Sequence, residues 1–147
     1  MARTFSSPVR RIGPVLLVDD YDDARAQVRE ALENAGYHVV EARHGQQALD
    51  FLVSRPDETA ALVILDLQMP IMDGWKLLDL MRNYVGLSSI PIIIVTAHQP
   101  RREQLRNPAI FACFEAPYAL EELIDAVDTC LTAARRPATM LVGNEGQ

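Results

Sequence analysis

Five short apolar runs alternate along the chain with segments that repeat apolar residues at helical spacing. Runs that are apolar at consecutive positions are typical of strands covered on both faces, as in a parallel sheet. The predicted strands are 14–18, 37–42, 61–65, 90–95 and 109–114. The second run is weaker than the others and fits a less buried strand near an edge of the sheet.

The segments between the strands indicate helices that pack on this sheet. In the first of them the apolar positions are Ala24, Val28, Ala31, Leu32 and Ala35. Gly36 supplies its C-terminal stop. In the last helix the apolar positions are Leu120, Leu123, Ile124, Val127 and Leu131. We interpret this stripe as the face that packs against the sheet rather than a partner-binding surface, and Pro137 ends the helix.

Strand and helix alternate in a way that predicts βαβ units and, with right-handed crossovers, a doubly wound α/β fold around a five-stranded parallel sheet. Sheets of this kind bind ligands beyond the carboxyl ends of their strands, where the strand order reverses. Asp19 and Asp20 end the first strand, Asp66 ends the third and Thr96 ends the fourth. We therefore expect these residues to converge in one crevice.

Length and charge narrow the class of protein. The 147 residues suffice for one domain, which we assign to 14–136, with a flexible arm at 1–13 and a loose tail at 137–147. A formal net charge of −6 gives no general support for a nucleic-acid partner. The cysteines form no CxxC motif, and neither a signal peptide nor a membrane span is evident, so we expect a reduced, cytoplasmic protein.

Carboxylates gathered in one crevice repel one another and raise one another's pKa unless a cation is bound. Mg²⁺ fits best, because it accepts a few carboxylate oxygens and also binds phosphoryl oxygens. His38, His44 and His98 are scattered and offer no matching set of ligands for a softer metal. An Asp at a strand end can instead cap the helix that follows, and we assign that role to Asp22 and Asp23.

Three stretches together resemble the receiver domain of bacterial two-component response regulators. They are Val15–Asp20, Leu65–Gly74 and Ile94–Ala97. The middle stretch is the specific one, because a strand that ends in Asp66 leads there into the sequence MPIMDG. The resemblance covers residues 14–135 and implies a flavodoxin-like (βα)5 receiver fold with the strand order 2-1-3-4-5.

The resemblance also implies a role for each site residue. Asp66 would be the phosphoacceptor, whose carboxylate attacks a phosphohistidine on a sensor kinase. Asp20 and Asp66 would ligate Mg²⁺ together with the backbone carbonyl of Gln68, and Asp19 would hold metal-bound water. Thr96 would donate its hydroxyl to a phosphoryl oxygen and move inward as the domain switches.

The chain departs from the receiver pattern at the end of the fifth strand. The family places a Lys before a Pro there; Pro117 aligns Ala116 with that Lys, and the usual aromatic switch residue aligns with Cys113. Losing a hydrogen bond to a charged group costs roughly ten- to a hundredfold in a rate or an equilibrium. Phosphorylation can survive this loss, because Mg²⁺ supplies the larger charge. The switch is affected more, because the Lys and the aromatic residue of the family normally report phosphorylation to the outer surface. The resemblance also implies a cis Ala116–Pro117 bond.

Further expectations concern the surrounding segments. The pair at 107–108, Asn-Pro, points to a truncated fourth helix. Arg101 or Arg102 is a candidate substitute for the missing Lys, although both have the pattern of exposed helix residues. Glu115 is expected to point outward and pair with a base. Gly74 would permit backbone angles that other residues resist in the loop after the third strand.

These observations favour a stand-alone receiver without an output domain, which accepts a phosphoryl group on Asp66 and signals by protein–protein interaction. Its partners would be a sensor histidine kinase or phosphotransfer protein and an unidentified downstream protein. The contact face would be the fourth and fifth helices and the strand between them, a face that homodimerisation could also use. We expect no independent enzymatic turnover and no nucleic-acid or membrane partner.

Two alternatives remain open. The first is a receiver-like interaction module that works without productive phosphorylation, because Ala116 stands at the Lys position. The second, more remote, is an aspartate-nucleophile phosphohydrolase on a related doubly wound sheet. That reading leaves MPIMDG unexplained, and the chain has little room for a substrate-binding cap.

Overall fold

The computed structural model describes residues 13–54, 59–67, 69, 73–98 and 100–135. Most of the expected arm, the whole tail and Gln68 lie outside the described residues. The strands are β1 Val15–Val18, β2 Val39–Ala42, β3 Leu62–Asp66, β4 Ile92–Thr96 and β5 Ile110–Glu115. The helices are α1 Asp22–Asn34, α2 Gly45–Ser54, α3 Gly74–Asn83 and α4 Leu120–Arg135. None of the described helices combines the length and the apolar character needed to cross a bilayer.

The five strands form one parallel sheet in the order β2-β1-β3-β4-β5, so the predicted fold class and strand order are confirmed. β2 lies at an edge and is only partly buried, as its weaker apolar run indicates. The chain order reverses between β1 and β3, which are direct neighbours with Val18 opposite Leu65. Because of this register, Asp19, which follows β1, lies beside Asp66 at the end of β3.

The sheet is covered on both faces, as its consecutive apolar runs predict. One face packs against α2 and α3 through Leu16, Val18, Val63, Leu65, Ile92 and Ile94. The other packs against α1 and α4 through Val15, Leu17, Leu62, Ile64, Ile93 and Val95. The apolar stripe of α4 belongs to this second core, which confirms that it packs on the sheet. Gly36, at φ +98°, ends α1 as expected.

The connection between β4 and β5 differs from the five-helix pattern that the resemblance implies. Instead of an α-helix, the described part of this connection contains a single 3-10 turn, Arg102–Leu105. The side chain of Asn107 accepts a hydrogen bond from the amide of Ala109 at 2.9 Å, which closes a local turn. Pro108 has no amide hydrogen to continue a helix. The predicted truncation of the fourth helix is therefore found. With no α-helix in the described part of this connection, Phe111 on the edge strand β5 is 43% exposed.

Replacing Asp73 with Ala is expected to lower the free energy of unfolding by about 1 kcal/mol, because it removes the N-terminal cap of α3. The Asp73 carboxylate accepts a hydrogen bond from the amide of Lys76 at 2.9 Å. Urea denaturation followed by circular dichroism measures the change. Asp79→Ala, at an exposed position of the same helix, is the control and should shift stability by less than about 0.5 kcal/mol. Equal losses in both variants would contradict the capping role.

Candidate functional site

Three carboxylates converge at the carboxyl ends of β1 and β3. Asp19 and Asp20 follow β1 directly, and Asp66 is the last residue of β3. One oxygen of each carboxylate lies within 4.8 Å of the others. Oxygens that share one Mg²⁺ at about 2.1 Å lie within roughly 4.2 Å of one another, so the cluster is close to the size that one ion spans. The donor set, all hard oxygen, therefore fits the predicted ion.

Asp19 is the most enclosed of the three, at 8% exposure. Its side chain accepts a hydrogen bond from the amide of Tyr21 at 2.9 Å. Burial raises the pKa of the Asp19 carboxyl, and the charge of Asp20 adds to the rise. The Tyr21 bond, the charge of Arg25 and a hydrogen bond with Asp66 oppose that rise without cancelling it. A divalent cation would reverse this balance, because it favours the ionised carboxylates.

Thr96 ends β4 beside this cluster. The residue is 5% exposed, and its hydroxyl accepts a hydrogen bond from the amide of His98 at 3.4 Å. Its carbonyl accepts another from the amide of Ala116 at 2.8 Å, which ties β4 to the end of β5. Thr96 and Asp66 line one cleft, so the structure brings the predicted hydroxyl and the predicted acceptor together.

This cleft is open, has a volume of about 380 Å³, and is the place where the missing Lys matters. Its lining includes Asp19, Asp66, Thr96, Ala116 and Tyr118 but no Lys or Arg among the described residues. Ala116 presents only a methyl group, and its bond to Pro117 is cis, as the resemblance implies. The described wall of the cleft therefore offers acidic groups, the hydroxyls of Thr96 and of two tyrosines, the amide of Gln27 and apolar surface, but no cation.

Tyr118 is a cleft residue that the sequence analysis did not single out. Its ring packs against Phe114, with the ring centroids 5.8 Å apart. Burial raises the pKa of its phenol, and the carboxylates of Asp19 and Asp66 raise it further. The available signal was its place one residue after the Pro that aligns with the receiver pattern.

Gly74 has a different role from the predicted one. Its φ is not among the positive values, which within the described residues occur at Gly36 and Gly86. A Cβ at position 74 would instead lie 2.5 Å from both the Asp66 carbonyl oxygen and the Leu67 Cα, where no atom fits. The amide of Gly74 donates to the Leu67 carbonyl at 2.9 Å. Close approach of two backbones, rather than unusual angles, requires glycine here.

The prediction that Asp22 and Asp23 cap the start of α1 is wrong. Tyr21 occupies the N-cap position and its side chain makes no cap hydrogen bond there, while Asp22 and Asp23 already lie in the first helical turn. The Asp22 carboxylate instead bonds to Arg25 at 2.8 Å, which lowers the pKa of Asp22. Acidic residues in this turn still complement the helix dipole. Neither residue belongs to the carboxylate cluster.

The remaining candidates lie away from the cluster. Arg101 and Arg102 are exposed and are not among the residues that line the cleft, so the expectation that one of them replaces the Lys receives no support. Glu115 is exposed, as expected, but the ion pairs found among the described residues do not include it. The Nδ1 atom of His44 accepts a hydrogen bond from the amide of Gln47 near the start of α2.

Comparison with known proteins agrees with this geometry. The family model for the response regulator receiver domain matches residues 15–128. Sporulation initiation phosphotransferase F of Bacillus subtilis is 34% identical over 116 residues, which are 77% of this chain and 89% of that protein. Response regulator MprA of Mycolicibacterium vanbaalenii is 36% identical over 120 residues, 80% of this chain but 48% of that protein. The chain thus spans nearly all of one relative and about half of another.

A solved structure gives the same picture. The response regulator TrrA from Thermotoga maritima, in complex with Mg²⁺ and BeF, superposes with a TM-score of 0.69 at 28% sequence identity. The match covers 81% of this chain and 99% of that one.

Proposed function

Because this chain belongs to the response regulator receiver domain family, we propose that it accepts a phosphoryl group on Asp66 in an Mg²⁺-dependent reaction. The donor would be a phosphohistidine of a sensor histidine kinase or phosphotransfer protein. One observation carries the proposal: three carboxylates at the ends of β1 and β3 lie within 4.8 Å, with Asp66 facing an open cleft.

In the proposed reaction an oxygen of the Asp66 carboxylate attacks phosphorus while the phosphorus–nitrogen bond breaks. The electron pair of that bond leaves with the imidazole, and the product is an aspartyl phosphate. Asp20 and Asp66 would hold Mg²⁺ directly, and Asp19 would hold water bound to the ion. The backbone carbonyl of Gln68 is proposed as a further ligand on the basis of the sequence. When bound, the ion neutralises charge on the phosphoryl oxygens.

Thr96 would act after transfer. Its hydroxyl accepts a long hydrogen bond from His98, 3.4 Å, so it stays available as a donor. Reorientation of that hydroxyl toward a phosphoryl oxygen would change the contact of β4 with its following loop. The carbonyl of Thr96 holds the amide of Ala116, which extends the same change to the end of β5.

The output would pass through protein contacts. Candidate surfaces are α4, β5 and the 3-10 turn that precedes β5, and homodimerisation would use the same elements. We propose a signalling module in the cytoplasm, without independent substrate turnover, whose downstream partner is a protein. The negative net charge of −6 supports the expectation that nucleic acid is not that partner.

A specific observation favours one second candidate function. The cleft beside Asp66 presents Ala116 where the family pattern has a Lys, and none of its described lining residues is basic. A module that recognises its partner without using phosphorylation would tolerate this loss. In that case phosphorylation leaves partner affinity unchanged.

Incubation of the purified protein with acetyl phosphate and Mg²⁺ tests the proposal, with intact mass as the readout. We expect a gain of one phosphoryl group, and loss of that gain when a chelator removes Mg²⁺, because the carboxylates then repel the phosphoryl oxygens. A folded protein that binds Mg²⁺ but gains no mass would favour the phosphorylation-independent module. Steady hydrolysis of a generic phosphomonoester would favour the phosphohydrolase instead.

A further inference from the structure

We propose that Arg25 is a positioning residue that holds the turn of Asp19 and Asp20 in the geometry that binds the cation. The inference deepens the proposed function and, for its metal readout, rests on it. Arg25 lies in α1, and its side chain is 11% exposed, which is low for an Arg. It does not line the cleft, so it acts from behind the acidic residues.

Three hydrogen bonds fix this guanidinium. Nη1 donates to the backbone carbonyl of Asp19 at 2.8 Å. Nε donates to Glu41 Oε1 at 2.9 Å, and Nη2 donates to Asp22 Oδ1 at 2.8 Å. The group therefore connects the β1–α1 turn, strand β2 and helix α1. Only the planar fork of an Arg donates in these separate directions at once.

The bond to the Asp19 carbonyl matters because of the peptide that it belongs to. That carbonyl and the amide of Asp20 lie in one rigid plane, so fixing the oxygen fixes the orientation of the link between the two acids. The amide of Asp19 is held by the Ala42 carbonyl at 3.1 Å, and its carboxylate by the Tyr21 amide at 2.9 Å. The hydrogen bond from Arg25 fixes the Asp19 carbonyl, which is the group of Asp19 nearest to Asp20.

Glu41 in turn keeps Arg25 in place. The hydrogen bonds from Arg25 and Arg29 lower the pKa of Glu41, although burial alone would raise it. Arg29 Nη1 lies 3.2 Å from Glu41 Oε2 but makes no described contact with Asp19. Arg29 is therefore a matched control: it has the same charge, lies one turn further along the same helix, and shares the same acidic partner.

Positioning and simple electrostatics predict opposite outcomes. A cation beside the cluster repels Mg²⁺, so a purely electrostatic Arg25 would weaken metal binding and its removal would strengthen it. A positioning Arg25 strengthens metal binding, and its removal weakens it. Arg25→Lys keeps the charge and loses the fork, while Arg25→Gln loses both.

Calorimetric titration with Mg²⁺ alone separates these cases. We expect about tenfold weaker Mg²⁺ affinity in Arg25→Lys, the value of one lost hydrogen bond, and less than a twofold change in Arg29→Gln. Arg25→Gln should also bind Mg²⁺ more weakly than the wild type, but by less than Arg25→Lys, because the repelling charge is lost as well. Unchanged affinity in Arg25→Lys with tighter binding in Arg25→Gln would overturn the proposal. An equal loss in Arg29→Gln would do so too, because the effect would then be general to the helix.

A metal-free readout keeps the test independent of the proposed function. The Tyr21 amide, which bonds to the Asp19 carboxylate, should exchange its hydrogen faster in both Arg25 variants than in the wild type and in Arg29→Gln, as measured by NMR. Unchanged exchange would overturn the positioning role. If the wild type binds no Mg²⁺, the metal site of the proposed function fails, and the exchange rate alone decides the role of Arg25.

Discussion

Replacing Asp66 with Asn is expected to abolish phosphorylation by acetyl phosphate in the presence of Mg²⁺. The amide keeps the size of the carboxylate but lacks the negatively charged oxygen that attacks phosphorus. It also removes one ligand from the set that lies within 4.8 Å. Because one repelling charge disappears, the metal-free variant should be at least as stable as the wild type, so the loss cannot be attributed to unfolding.

Intact mass after incubation is the measurement, and Asp79→Asn is its matched control. Asp79 is an exposed carboxylate on α3 outside the cluster, so this variant should gain the same phosphoryl group as the wild type. A phosphoryl group retained in Asp66→Asn would show that another residue accepts it. Peptide mapping would then identify that residue, with Asp20 the first to test because it is exposed and adjacent.

Introducing the amine with Ala116→Lys should accelerate phosphorylation by roughly ten- to a hundredfold, the value of one hydrogen bond to a charged group. Ala116 is exposed and lines the cleft that contains Asp66, so a Lys can enter the cleft from solvent without burying its charge. The initial rate of mass gain with acetyl phosphate measures the effect. The amide of Ala116 keeps its bond to Thr96, since that bond uses backbone atoms.

Ala133→Lys provides the comparison for added charge, because it lies at an exposed position near the other end of α4. It should leave the rate unchanged within about twofold, since exposed charges that far apart are largely screened. A rate that does not change in Ala116→Lys would mean that the missing amine does not limit the chemistry. That result would direct attention to recognition without phosphorylation.

The sheet could be predicted because each strand carries its own signal. Consecutive apolar residues from 62 to 65 and from 92 to 95 leave no polar face, and such strands are stable only when both faces are covered. The topology then brings Asp19 and Asp66 together without any knowledge of side-chain contacts. The candidate site was predictable to the extent that it follows from the ends of strands.

Features that depend on contacts between distant segments were not predictable. The sequence predicts Asp22 as a cap of α1, yet its carboxylate accepts a hydrogen bond from Arg25, whose guanidinium also donates to Glu41 on β2. The proximity of Tyr118 to the carboxylates of Asp19 and Asp66 arises only once β1, β3 and β5 have assembled into one sheet, so no local pattern predicts it. The sequence predicts unusual backbone angles at Gly74, because a sequence cannot distinguish an unusual φ from close contact between backbones.

The contact between Gly74 and the end of β3 leaves nothing compressible between them. A side chain at this point could rotate and absorb a small displacement, whereas two backbones already in contact cannot. The contact resists movement of the two backbones toward each other, and the hydrogen bond from the Gly74 amide to the Leu67 carbonyl resists their separation. A shift of the Asp66 backbone is therefore expected to move the first turn of α3 with it, and because a helix is stiff, the displacement would reach Asn83 at its other end.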